Sequence, residues 1–283
     1  MNMLLTLLVC PDCKSPFRET NLPVWRCDKC GCEVPIQDGK PIFTAIPEKI
    51  QPFETVERGP EKGTPWRQAN WKFLENEIKK LPTDALILEI GAGHGDFAQI
   101  FTERRYLSLD IIPYPEVDLV CDMTCCVPFR QDSFDMLVLM NVLEHVYNFH
   151  KLLDVLHDLL KPGGRLVITV PFMIKIHQAP FDFHRHTHFA LAQMAQEHGF
   201  KVTLMEGYYD PIFFMGESIR NFRFWVFPQM ERLKRWPARA ILGFIERLAL
   251  LIQPLVGKGY VKTPDQARNP AAIGYHLVLK KPA

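Results

Sequence analysis

Between Ala85 and Pro171 the chain repeats one pattern: a short apolar run, a loop, a helix-like stretch, then the next apolar run. ALILEI, YLSLDI, VDLVCD, FDMLVLM and RLVITVP read as five strands, while DFAQIFTERR and HKLLDVLHDLL read as helices. Strands of nearly continuous apolar residues are buried on both faces, and strands that alternate with helices pair in parallel. The pattern therefore confines this region to α/β architecture: a parallel sheet covered by helices. With 283 residues, 47% apolar and 23% charged, there is material for one such domain and a small appendage, and wholesale disorder is excluded.

Open parallel sheets bind ligands beyond the carboxyl ends of their strands, and those ends carry the informative residues. Glu89 lies near the end of the first strand, followed by Gly91-Ala92-Gly93-His94-Gly95. Glycine there lets the backbone approach a ligand closely. Asp96 stands where a dinucleotide loop wants glycine, and the Gly-Lys-Ser/Thr of a phosphate-binding loop is missing. Asp110 ends the second strand, 19 residues past Gly91. A carboxylate at that place can accept hydrogen bonds from both hydroxyls of a ribose. Cys121-Asp122-Met123 ends the third strand and Met140-Asn141 the fourth. Any one of these acids alone would read as a solvated loop charge; their order and spacing together do not.

LEIGAGHGDF, LSLDI, CDMTCCVPFRQDSFDMLVLMNVLEHV and LKPGGRLVITVP resemble the successive motifs of class I S-adenosylmethionine-dependent methyltransferases. The likeness is nearest to the broad group containing the ubiquinone-biosynthesis methyltransferases and spans about residues 71 to 206. It implies a Rossmann-like, seven-stranded α/β fold, with FKVTLMEG (200–207) as sixth strand and GYHLVLKK (274–281) as an antiparallel seventh. It also implies that Gly91 and Gly93 cradle the methionine part of the cofactor and that Asp110 holds the ribose. Asp122 and Met123 would meet the adenine, Asn141 and Leu143 would line the pocket beside the methyl donor, and Glu89 would orient the loop or the cofactor ammonium.

Of eight cysteines, Cys10, Cys13, Cys27 and Cys30 form two Cys-x-x-Cys knuckles separated by thirteen residues. That spacing presents four thiolates tetrahedrally to Zn²⁺, in a closed site whose role is structural. Cys32 competes with Cys30 as fourth ligand. A module of this size needs such a staple. With its PIQDGKP tail (35–41), it resembles the small zinc-binding domain that accompanies or is fused to many methyltransferases. The expected organisation is a zinc ribbon over 1–46, a Pro-rich linker over 47–65, and a methyltransferase domain over 66–283 with a helical insertion at 208–268.

Transfer from an activated sulfonium needs a base only when the acceptor carries a proton. The candidate catalytic groups are His145, just past the fourth strand, and His186. The alternative for His145 and its neighbour Glu144 is that they cap or orient the following helix. The segment from His177 to His188 resembles a substrate-contacting loop of these enzymes, with His186 replacing the usual tyrosine. His177, Asp182 and Arg185 are the substrate candidates there, while alternating His184, His186 and His188 are not favoured as a metal site. From Ile219 to Arg247, seven Arg/Lys and two Glu are interleaved with six Phe or Trp. Such a pattern suits an anionic lipid surface, a lipid-linked glycan or single-stranded nucleic acid, or else a lid packing its aromatic rings on the core.

The expected activity is methyl transfer to a small-molecule, sugar or lipid-linked acceptor. An RNA base methyltransferase or a non-catalytic cofactor-binding partner is the alternative. A formal charge of +1 gives no chain-wide argument for nucleic acid. Met1 to Cys10 lacks the basic leader of a signal peptide, and no stretch reaches the ~18 apolar residues of a spanning helix. The expected location is cytoplasmic, with peripheral membrane contact through 219–247 as an option.

Overall fold

The computed structural model describes residues 6–18, 24–47, 59–262 and 272–283. Residues 48–58 of the expected linker and 263–268 of the expected insertion lie outside them. Four short strands form the N-terminal ribbon: β1 (Phe17–Arg18), β2 (Val24–Cys27), β3 (Glu33–Gln37) and β4 (Lys40–Pro41), each antiparallel to the next.

Helix α1 (Pro65–Ile78) comes next, where the sequence predicts a helix over 66–81. Thr64 caps it, its hydroxyl accepting from the Arg67 amide, and Pro65 supplies a preset first turn. The main sheet then takes β5 (Leu86–Ile90), β6 (Arg105–Asp110), β7 (Leu119–Val120), β8 (Phe134–Met140) and β9 (Leu160–Pro171). Helix α2 (Phe149–Leu159) precedes β9, and α3 (His188–Glu197) precedes β10 (Lys201–Tyr209). Two further helices, α4 (Pro211–Val226) and α5 (Arg232–Val256), lead to β11 (Gly259–Lys262) and β12 (Gly274–Lys280).

The strand order is β11-β10-β12-β9-β8-β5-β6-β7. From β7 through β9 neighbours run parallel, and β12 lies antiparallel between β9 and β10. Seven of these strands make the expected Rossmann-like methyltransferase sheet. The eighth, β11, adds an antiparallel edge beside β10 that the sequence reading does not foresee. Every residue of β5 and nearly all of β8 are buried, as central parallel strands require.

One helix is reduced. Instead of a helix over DFAQIFTERR, the chain makes a single 3₁₀ turn at Ala98–Phe101 before entering β6. Arg104 donates to the carbonyls of Leu81 and Pro82, which draws the chain back to the sheet. The apolar pair still works: Phe97 and Phe101 are buried against Trp71 and Tyr106.

The ribbon packs on the β7 edge. Ile42 bridges Val120 in parallel, and the Phe43 amide donates to the Val120 carbonyl at 2.8 Å. Leu8 bridges Phe129, and Leu8, Phe17, Trp25 and Val34 share one apolar cluster with Leu109, Leu119 and Phe129.

The lid reading of 219–247 fails for five of its six aromatic rings, Phe227 alone being buried. Helix α5 packs on α4, where Glu246 pairs with Arg223 at 3.0 Å, while Trp236, Ile241, Phe244, Leu248, Leu251 and Leu255 stand in solvent. Trp236 is 79% exposed, Phe224 of α4 71% and Leu255 85%. These rings do not cover the core because the face of α5 that meets protein is the less apolar one.

Candidate active site

A cleft of roughly 610 Å³ opens at the carboxyl ends of β5 and β8. Glu89, Gly91 and Gly93 form one side, Asn141 and Glu144 the floor, and His177 the far wall. Gly91 and Gly93 both have positive φ, at 72° and 55°. A Cβ on Gly91 would come within 2.5 Å of Val142 Cγ2, whereas one on Gly93 would meet nothing within 4 Å. The first glycine serves packing, and the second leaves room for a ligand.

Asp110 sits behind the loop, buried, and positions it. Its Oδ2 accepts from the Gly93 amide at 2.9 Å and its Oδ1 from the Ile112 amide at 3.0 Å. Each oxygen keeps a second lone pair for a ribose hydroxyl. Burial raises this carboxyl above its ordinary range, although the two amides oppose the rise. Glu89, fully buried, is pushed up to about 7 by desolvation despite the Tyr106 hydroxyl donating to it at 2.5 Å. Asn141 takes a left-handed conformation at φ 56°, and its Oδ1 accepts from Trp66 Nε1 at 3.0 Å.

Other expected residues do not line the cleft. Met123 and Leu143 are buried in the core, and Asp122 turns its Oδ1 to the amide and hydroxyl of Thr124. His186 is buried against Phe149 and His184, so the fold does not bring it to the cleft. Burial also lowers it to about 4. Glu144 and His145 are not the cap of α2: that role falls to Asn148, whose side chain accepts from the Lys151 amide.

Asp182 and Arg185 form a bidentate pair, at 2.5 and 2.8 Å, that shapes the loop around His177. Burial alone would raise Asp182; Arg185 and the His177 amide reverse this and hold it at about 2. Arg185 also donates to the carbonyls of Ile174, Lys175 and His184, so both charges are spent inside the loop.

Four contributors were not foreseen. Trp66 and Arg67 reach the cleft from α1, and Arg67 Nη2 donates to the Asp96 carbonyl at 3.0 Å. Phe213 and Glu217 come from α4, so the insertion closes one side. An arginine inside an otherwise apolar helical face was the available signal for Arg67.

In the ribbon, Cys10, Cys13, Cys27 and Cys30 bring their sulfurs within 4.8 Å of one another, with the Cys10–Cys30 and Cys13–Cys27 pairs at 3.4 Å. Tetrahedral bonds of ~2.3 Å need sulfurs about 3.7 Å apart, so the four fit one zinc ion. The Ser15 amide and hydroxyl lower the Cys13 thiol to about 6, while Cys30, against the lowering by the Cys32 amide, is pushed up to about 12 by the neighbouring Cys10 thiol and burial. Cys32 falls in a different grouping, with Cys10 and Asp12.

Residues 66–204 match the family model described as a methyltransferase domain. An uncharacterized protein of Methanocaldococcus jannaschii is 31% identical over 97 residues, covering 31% of this chain and 41% of its own length. Methyltransferase str2 of Strobilurus tenacellus is 34% identical over 110 residues, covering 34% of this chain and 40% of its own length. The chain thus spans about two-fifths of these curated relatives. Among solved structures, a SAM-dependent methyltransferase from Archaeoglobus fulgidus aligns over 76% of this chain and 94% of its own, with TM-score 0.48 and 14% identity.

Proposed function

We propose that the protein transfers a methyl group from S-adenosylmethionine to a small-molecule, sugar or lipid-linked acceptor. The observation that carries this reading is the Gly93 amide held by Asp110 beside a cleft floored by Asn141, inside the matched segment. Bound S-adenosylmethionine supplies a methyl group already activated on a sulfonium. Gly91 and Gly93 bring backbone close to its amino-acid end, and Asp110 directs its free lone pairs to the ribose. Glu89 offers a buried carboxyl to a cationic group. Asp122, Met123 and Leu143 support the pocket from behind, since none lines the cleft. His177 and the loop braced by Asp182 and Arg185 face the acceptor. Burial lowers His145 to about 4 and so keeps it neutral at physiological pH, with Nε2 available to a proton or a cation.

The ribbon, in this reading, holds a structural zinc on Cys10, Cys13, Cys27 and Cys30. Among the described residues no helix is long and apolar enough to cross a membrane. Peripheral contact with an anionic bilayer through 219–247 is part of the proposal. It is supported by exposed Phe224, Trp225, Trp236 and Phe244 beside Arg232, Lys234, Arg239 and Arg247. Apolar side chains enter the bilayer while basic ones meet its phosphates, a pairing that RNA would not require.

The test is methyl-label transfer from labelled S-adenosylmethionine to three acceptor panels: soluble metabolites and sugars, lipid extracts, and RNA. Label in either of the first two supports the reading. Label in RNA alone replaces it with the base-methyltransferase alternative.

A further inference from the structure

The cleft floor holds a group that transfer from a sulfonium does not by itself require. Glu144, on the turn Leu143–His145, has a side chain only 1% exposed, and neither carboxylate oxygen has a hydrogen-bond partner. Leaving such a group unpaired is expensive. His145 Nε2 is equally buried and unpartnered, 3.6 Å from Glu144 Oε1, and His177 Nε2 lies 3.9 Å from the same oxygen. The two imidazole rings meet edge to face, 4.8 Å between centroids.

The far nitrogen of each ring is already engaged. His145 Nδ1 lies 2.6 Å from the Phe181 carbonyl oxygen. A carbonyl only accepts, so Nδ1 carries the proton and Nε2 presents a lone pair toward Glu144. His177 Nδ1 lies 3.2 Å from the Lys175 carbonyl and 3.2 Å from Asp182 Oδ2. Carbonyl and carboxylate partners behind the ring are what orient metal-ligating histidines. The neighbouring cation, Arg185, pairs with Asp182, and its Nη2 also lies 3.4 Å from His177 Nδ1. The three inward ligand atoms lie within 4.8 Å of one another. Bonds of about 2.1 Å bring ligands to roughly 3.0–3.4 Å separation, so the two Glu144 distances close by a few tenths of an ångström and the two imidazole nitrogens by at most about 1.4 Å.

Protonation does not resolve the arrangement. Burial pushes Glu144 up to about 8, and a neutral carboxyl there can donate one O–H toward His145 Nε2, 3.6 Å away, which still leaves its second oxygen without a partner. A cation satisfies both orphaned groups at once.

We propose that Glu144, His145 and His177 bind one divalent first-row metal ion, and that the ion's open positions take an oxygen of the methyl acceptor. Two imidazoles and one carboxylate are a donor set for such ions, and three protein ligands leave coordination free. Glu144 and His177 line the cleft, so the open side faces the acceptor space. The inference rests on the methyltransferase reading for the acceptor, but the ion site stands on these residues alone.

The test titrates full-length protein, its four-cysteine site loaded with zinc, with Mn²⁺ and follows loss of the free-ion paramagnetic resonance signal. Calorimetry with Zn²⁺ runs in parallel. One ion per chain beyond the ribbon zinc is expected, with either probe. Binding should weaken by more than about tenfold in Glu144→Gln and in His177→Ala. His177 sits on a half-exposed loop, so its variant guards against a folding defect in the buried one. No second ion in the wild-type protein, or unchanged binding in both variants, overturns the site. S-adenosylmethionine binding is measured on the same samples. Its failure would remove the methyltransferase reading while leaving the ion titration to stand or fall separately.

Discussion

Thr44 Oγ1 accepts a hydrogen bond from the Asp122 main-chain amide at 2.9 Å. One residue of the ribbon side thereby holds the loop that leaves β7, next to the ladder between Phe43 and Val120. The ribbon is a brace on the cofactor end of the sheet. Thr44→Val keeps the shape and removes the acceptor. It should cost about 1 kcal/mol, and weaken S-adenosylmethionine binding roughly fivefold with the metal content unchanged. Equal affinity in calorimetry would detach the ribbon from the cofactor site.

The shared cluster of Leu8, Phe17 and Trp25 with Leu119 and Phe129 makes a second expectation. Chelation should release one zinc per chain and lower the melting temperature of the main unfolding transition, because the ribbon's loss exposes the β7 edge. Elemental analysis and scanning calorimetry check both parts. A main transition that ignores chelation would contradict the packing.

The two loop glycines should separate. Gly91→Ala meets Val142 and carries an unfavourable φ, so both stability and cofactor binding should fall. Gly93→Ala meets no protein atom within 4 Å and carries only the left-handed conformation, about 1–2 kcal/mol, so cofactor affinity should suffer more than the fold. Thermal melts beside binding titrations show whether the losses part in this way.

Glu89 gives a pH signature. Its carboxyl is raised from 4.5 to about 7, with burial the largest cause. The native state therefore holds a proton that the unfolded chain releases, and stability falls as pH rises from about 4.5 to 7. Above 7 the cost is complete, about 3 kcal/mol. Glu89→Gln keeps an acceptor for Tyr106 and removes the titration. Relative to wild type it should gain stability between pH 5 and pH 8 in denaturant melts. Parallel pH profiles would show that Glu89 does not titrate in this range.

The outward aromatic face predicts sedimentation with acidic vesicles. Changing Arg232, Lys234 and Arg247 together to Ser should weaken it by about 3 kcal/mol at low salt, near 1 kcal/mol per basic residue. Trp236→Ala with Phe244→Ala should remove the part that salt leaves. Indifference to vesicles at any salt concentration would leave this face without a lipid role.

The sheet was legible because its strands are almost wholly apolar and end in Glu89, Asp110 and Asn141. The cysteine knuckles were legible from spacing alone. What lay hidden depended on contacts between distant segments. Trp66 on Asn141, Thr44 on Asp122 and Phe213 at the cleft leave no trace in local periodicity. His186 reads like His177 in sequence, yet packing on Phe149 takes it away from the cleft. The amphipathic pattern of α5 states that two faces differ, not which one meets protein. In this fold the more apolar face is the free one.

The central claim is that the cleft beside Gly93 and Asp110 is built for S-adenosylmethionine. Calorimetric titration of zinc-loaded, full-length protein with S-adenosylmethionine tests it most directly. One binding site per chain is expected. Asp110→Ala should lose roughly 2–4 kcal/mol, with the fold retained by circular dichroism. Asp110→Asn, which keeps one acceptor oxygen, should lose less. A folded wild-type protein that takes up no S-adenosylmethionine, or an Asp110→Ala variant that binds as well as wild type, would contradict it.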